Sequence, residues 1–275
     1  MTSTFSLIEI NARRRGGAKL IANPQAMHAA VMSSFPPSAL EGAPSRVLWR
    51  LDHDGPAYKL YVVSPIAPDF THIVEQAGWA GQEWKSADYE RFLDRITKGE
   101  RYAFRLTANP VKREPANHGD KKTGPVRPLT VNGQIKWLVE RAQKNGFRCL
   151  QRSEFDSTLP VPTLENGPTL GDAPALGDAL TRQDADPLPP TPLVTVTRCD
   201  DARFHRKSKP LSAENPQSDR RGSGKSPFKR LSIRKAQFDG VLEVTDAGLL
   251  RSALLNGIGR AKGYGCGLMT MKPLT

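Results

Sequence analysis

The chain has 275 residues, 38% of them hydrophobic, enough for one large domain or two of ordinary size. Forty Lys and Arg against 28 Asp and Glu leave a formal charge of +12, which favours a polyanionic partner over an indifferent small-molecule enzyme. Three scattered cysteines without Cys-x-x-Cys spacing argue against a disulfide scaffold or structural zinc. No run reads as a signal peptide or membrane span, so a soluble, cytoplasmic protein is expected.

Residues 5–10 alternate as a strand, and Arg13, Arg14 and Arg15 with Gly16 and Gly17 read as a basic turn. Asn23-Pro24 then gives a helix its cap and first residue. Met27, Ala30, Val31, Ser34 and Phe35 recur at helical spacing until Pro36-Pro37 ends it. Strands at 46–52 and 58–63 flank a turn at 53–56. Tyr89, Phe92, Leu93 and Ile96 share one face of a helix over 86–97, and 101–107 is a further strand. This order of strand, helix, strand, strand, helix, strand is ferredoxin-like, or RRM-like.

After Pro110 the order repeats less cleanly. A helix is expected at 132–144, a strand at 147–150, strands at 193–197 and 238–244, a helix capped by Asp246, and a closing strand at 267–271. Residues 154–192, rich in Pro, Gly and acids, read as an exposed insertion, partly disordered. The expected fold class is therefore α+β, with tandem ferredoxin-like (RRM-like) βαββαβ domains over 1–112 and 113–275.

The charge is unevenly placed. Residues 198–235 carry twelve Lys or Arg against four acids, broken by Gly, Ser and Pro, which suits a basic ribbon on phosphates. Five glycines, from Gly257 to Gly267, are threaded with Arg260 and Lys262, so backbone can approach an anion closely. The spacing fits neither a P-loop nor a dinucleotide fingerprint, and no cofactor is expected. No histidine pair or acidic cluster has metal-ligand spacing.

Of five histidines, His28 has the most suggestive surroundings: it flanks the apolar stripe of its helix and follows the arginine turn and Lys19. An imidazole gives or takes protons near neutral pH. RNA supplies its own nucleophile in the 2′-OH, so one histidine and a few cations suffice to align the strand and protonate the leaving 5′-oxygen.

Three segments together resemble the CRISPR repeat-processing endoribonucleases of the type I-E system, the CasE family. They are the helix Ala26-Met27-His28-Ala29-Ala30-Val31-Met32, the strand Phe104-Arg105-Leu106-Thr107-Ala108-Asn109-Pro110-Val111-Lys112, and the glycine-rich tail. The resemblance spans nearly the whole chain. It implies cleavage of precursor CRISPR RNA at the 3′ base of the repeat stem-loop, leaving a 2′,3′-cyclic phosphate and a 5′-OH. It also implies retention of the guide RNA within the Cascade surveillance complex, beside that complex's other subunits.

On that pattern His28 is catalytic. The RNA path is lined by Arg13, Arg14, Arg15 and Lys19, by Lys112 and Arg113, and by Gly259, Arg260 and Lys262. A hairpin carrying Arg203, Arg206, Lys207, Arg220, Arg221, Lys225, Lys229, Arg230 and Arg234 grips the duplex. Well-known members place a Tyr three residues before the histidine, where this chain has Gln25. Activation of the 2′-OH is thus open between Lys19, a hairpin cation and alignment without a base. A hairpin-RNA binder that does not cut, and a chaperone acting through charge alone, are the competing functions.

Overall fold

The alternation at the N-terminus becomes strand β1 (Thr4–Ile10), which turns Thr4, Ser6, Ile8 and Ile10 inward. The computed structural model describes residues 2–54, 57–113, 126–154, 191–207 and 228–274. Helices α1 (Arg15–Ala22), α2 (Pro24–Met32) and the single turn α3 (Pro37–Leu40) follow β1. The expected basic turn is mostly helix, because Gly16 and Gly17 let α1 press on its neighbours. A Cβ there would stand 2.3 Å from the Gln76 carbonyl oxygen or 2.0 Å from that of Asn11.

Next come β2 (Leu48–Asp54), β3 (Ala57–Ser64), α4 (Thr71–Ala77) and β4 (Lys85–Asp88). Their sheet runs β2-β3-β1-β4, every neighbour antiparallel, which is the ferredoxin-like arrangement. The helix expected over 86–97 is instead β4 followed by the short α5 (Glu90–Leu93). Tyr89, Leu93 and Ile96 are buried as their spacing indicated, but a strand end, one helical turn and a bend carry them. The helix α4 that completes the unit lies in a stretch to which the pattern assigned no element.

Strand β5 (Arg101–Ala108) opens the second unit rather than closing the first. It pairs over eight residues with β10 (Phe228–Val244), reached after β6 (Val111–Arg113), β7 (Val126–Pro128), α6 (Val131–Lys144), β8 (Phe147–Cys149) and β9 (Val194–Lys207). Helix α7 (Ala247–Asn256) and β11 (Met269–Pro273) complete a sheet ordered β11-β5-β10-β8, the ferredoxin-like order again. Sheet membership thus changes between Asp88 and Arg101, not at 112. Tyr102, Phe104 and Leu106 explain why: they join Phe147, Phe238, Leu250 and Leu254 in one core. The insertion at 154–192 falls outside the described residues apart from its two ends.

Beyond this core β9 and β10 continue as a two-stranded hairpin, in register from Gly240↔Val194 to Phe228↔Lys207 with a bulge at Gln237/Phe238. The basic ribbon is therefore, in its described part, an extension of the second sheet.

Buried ion pairs join the two units. Arg50 on β2 donates to both carboxylate oxygens of Asp52 at 2.7 and 2.8 Å, and also to the carbonyls of Arg105 and Leu268 on the second unit. Arg105 in turn holds Asp239 at 2.6 and 2.9 Å and lies 3.7 Å from Asp52. Two guanidinium groups and two carboxylates cancel in charge inside the junction. From α7, Arg251 donates to the carbonyls of Leu93, Asp94 and Ile96, tying the end of α5 to the second unit.

Candidate active site

Helix α2 starts as its sequence dictates. The Asn23 side chain accepts from the amides of Gln25 and Ala26 at 3.0 and 3.3 Å, with Pro24 as first residue. Met27 and Val31 anchor the helix in the core, which leaves His28 half-buried on its flank. The glycine-rich tail crosses this flank. A short turn at Lys262–Tyr264 packs on α2, and a Cβ on Gly263 would stand 3.6 Å from Cε1 and Nε2 of His28. Helix α2 of one unit and the loop before β11 of the other thus meet at the imidazole.

Most of the glycines serve the chain itself. Gly257, Gly259, Gly265 and Gly267 all have φ between 76° and 94°, a region that disfavours any side chain. A Cβ on Gly265 would come within 2.6 Å of the Trp49 ring, and one on Gly259 within 3.1 Å of Trp137. The expectation that these glycines admit a ligand therefore narrows to Gly263. Gly265→Ala should cost on the order of 1–3 kcal/mol in a denaturant titration, through its left-handed backbone and the ring it displaces.

The cations divide into groups. Arg13, Arg15 and Lys19 are exposed around α1. Arg14 is committed elsewhere: its guanidinium donates to the carbonyls of Val74, Glu75 and Gly78 and so caps the C-terminus of α4. Lys262 is partly buried beside Arg46, and burial first, then that neighbour, lowers its pKa. Lys112 and Arg260 meet at a second cavity of about 530 Å³ with Asn109, Lys136 and Arg141, while Gly259 packs beneath on Trp137. The Ala-Asn-Pro-x-Lys strand and the glycine tail, quoted apart in the sequence, converge there.

On the hairpin, Arg203 is exposed and Arg234 is paired with Asp201 at 2.9 and 3.0 Å. Arg206, Lys207, Lys229 and Arg230 lie in its strands, with Lys229 opposite Arg206, Lys207 opposite Phe228 and Arg230 opposite His205, and Arg113 lies in β6. Arg220, Arg221 and Lys225 lie outside the described residues.

Two other histidines have structural contacts: His72 Nε2 lies 3.0 Å from the Ala30 carbonyl, and the His53 ring packs on Tyr58 at a tilt of 38°. The three cysteines are free, and burial raises the thiol of Cys149 to about 12 and that of Cys266 to about 11. Among the described residues no group of three or more His, Cys, Asp or Glu could hold a metal ion, and no helix is long and apolar enough to cross a membrane. Lys235, counted in the basic run, has its ammonium 5.6 Å from the centre of the Trp49 ring. Its place in the basic run concealed that it turns into the junction.

Known proteins share this architecture. The CRISPR-associated endoribonuclease Cse3 of Thermus thermophilus is 26% identical over 269 residues, covering 96% of this chain and 97% of that protein. A structure of CRISPR endoribonuclease Cse3 bound to a 19-nucleotide RNA superposes with a TM-score of 0.64 at 22% identity, over 99% of this chain and 100% of that one. Thermus thermophilus Cse3 bound to an RNA representing a pre-cleavage complex matches with the same TM-score, identity and coverage. Those structures share the fold of tandem ferredoxin-like units described above. The family model for CRISPR-associated proteins matches residues 5–273, and the chain belongs to that family.

Proposed function

We propose that this protein is a site-specific endoribonuclease that cuts precursor CRISPR RNA at the 3′ base of the repeat stem-loop. The observation that carries the reading is His28, half-buried on α2 and faced by Gly263 of the loop that bears Arg260 and Lys262. The 2′-OH gives up its proton and bonds to the adjacent phosphorus, the P–O5′ bond breaks, His28 protonates the departing 5′-oxygen, and nearby cations stabilise the equatorial charge. The products are a 2′,3′-cyclic phosphate and a 5′-OH. The basic hairpin holds the stem, so the enzyme stays on the guide RNA as a cytoplasmic subunit of the surveillance complex.

No resident cofactor or metal enters this chemistry. Cleavage of a stem-loop repeat should persist in EDTA and stop when the nucleotide before the cut is 2′-deoxy, read by gel and by mapping both new ends. Loss of cutting in EDTA overturns the scheme.

Gln25 favours a second reading, a subunit that holds the hairpin without cutting, because an amide cannot act as the base that a Tyr at that place would supply. A single-turnover assay separates the two: the binder yields no 5′-OH end.

A further inference from the structure

Cations from three separate stretches of chain converge on the cavity of about 530 Å³ beside the glycine-rich loop. Lys112 comes from β6, Lys136 and Arg141 from α6, and Arg260 from the loop between α7 and β11. Among the described residues its lining holds a single carboxylate, that of Glu140. Lys112, Lys136 and Arg260 are exposed, and among the described residues their side chains make no ion pair or hydrogen bond. Even Lys136 and Glu140, four residues apart on one face of α6, do not pair. The fields of these cations add within the cleft and favour an anion there.

Arg141 has a different setting. It is half-buried, with its guanidinium 4.7 Å from the centre of the Trp137 ring. Trp137 is only 7% exposed, so the indole is closed to a ligand. The guanidinium that covers it lines the cavity and has its other face to offer. Such a planar cation stacks on a nucleic acid base. The volume is that of a site enclosing one small ligand, so it suits about one unpaired nucleotide and not a duplex.

The cavity is also close to the chemistry. Arg260 precedes Gly263, which faces His28, by three residues, at most about 11 Å of chain. Cleavage at the 3′ base of a stem leaves the nucleotide before the cut fixed by pairing, whereas the one after it has no hold of its own. In-line attack needs the departing 5′-oxygen, which belongs to that second nucleotide, opposite the 2′-oxygen. A site for the downstream strand supplies the missing hold.

We infer that this cavity binds the unpaired strand immediately 3′ of the cut, with a backbone phosphate on Lys112, Lys136 and Arg260 and a base stacked on Arg141. The inference rests on the endoribonuclease reading and adds Lys136 and Arg141 to the residues that position the substrate. It also separates precursor from product, because the cut RNA no longer carries the strand that fills the cavity.

The test compares the affinity of the full chain for three stem-loop RNAs made uncleavable by a 2′-deoxy sugar. One ends at the cut, one continues downstream, and one ends at the cut but carries the same extension upstream of the stem. The downstream extension should raise affinity on the order of tenfold, and the upstream one by about twofold or less. Lys136→Gln should reduce the downstream gain to about threefold and lower the salt slope on that RNA by about 0.7. Its affinity for the RNA that ends at the cut should stay within about twofold of the parent's. Arg141→Lys keeps the charge but loses the flat face. An abasic downstream nucleotide, which costs the parent about fivefold, should therefore cost that variant nothing further. Lys136 is exposed, so Lys136→Gln reports even where Arg141→Lys disturbs the fold. A gain from the upstream extension instead, no gain from either, or a downstream gain unchanged in both variants overturns the subsite. So does an equal loss on all three RNAs, which would make these cations part of the grip on the stem. Cleavage of ordinary RNA in parallel keeps the two readings apart. A chain that cuts yet gains nothing from the downstream strand loses only the subsite, and one that gains from it without cutting loses the endoribonuclease reading.

Discussion

His28→Ala lowers single-turnover cleavage of a repeat stem-loop by about 10²–10⁴-fold, the usual loss when a general acid is removed. Affinity for the same RNA in uncleavable form should change by no more than about twofold, because on the proposed reading the hairpin cations, and not the imidazole, hold the stem. Helix α2 should tolerate the change, since its hold on the core comes from Met27 and Val31 and its start from Asn23 and Pro24. Circular dichroism and a denaturant midpoint close to the parent's would confirm that. Cutting that continues undiminished in His28→Ala removes the imidazole from the mechanism. A matching loss of binding makes His28 a contact for the strand, not an acid.

Asp239→Ala should be the most destabilising single change, by about 3–5 kcal/mol in a denaturant titration, because it strands a buried guanidinium. Asp239 receives both bonds of the Arg105 fork and a third from Thr197 Oγ1 at 2.9 Å, and it is 7% exposed. With it gone, Arg105 keeps only Asp52 at 3.7 Å, and Asp52 is already held by Arg50. Removing both partners is the informative control. In Arg105→Met with Asp239→Leu no unpaired charge remains, since Arg50 and Asp52 still satisfy each other. That double variant should therefore be more stable than Asp239→Ala alone. If it loses as much or more, the pair contributes more than charge balance.

The sequence made legible those parts of the molecule that short-range physics decides. Helix α2, its Asn-Pro start and the Asp246 cap follow from spacing and capping chemistry. Sheet membership did not follow. Strand β5 alternates as well as any strand, and nothing local tells it to pair with β10, more than a hundred residues on, rather than with β1. The helix expected over 86–97 failed for a related reason: Tyr89, Leu93 and Ile96 do point inward, but the same spacing arises from a strand end and one turn. His28 stands out in the sequence because imidazoles are scarce and this one flanks an apolar stripe. The contacts of Arg14 and Lys235 were not legible because a run of like charges looks uniform in sequence. Only packing reveals that one caps a helix and the other turns inward.

The imidazole, the Trp49 ring and the glycine turn are brought together from opposite ends of the chain. Chains emerge from the ribosome and fold N-terminal unit first, so His28 and Trp49 exist long before the turn that covers them. Strand β11, which anchors the end of that turn by pairing with β5, is made after every other described strand. The surroundings of His28 are therefore completed only when the turn at Lys262–Tyr264 and the strand after it have been made.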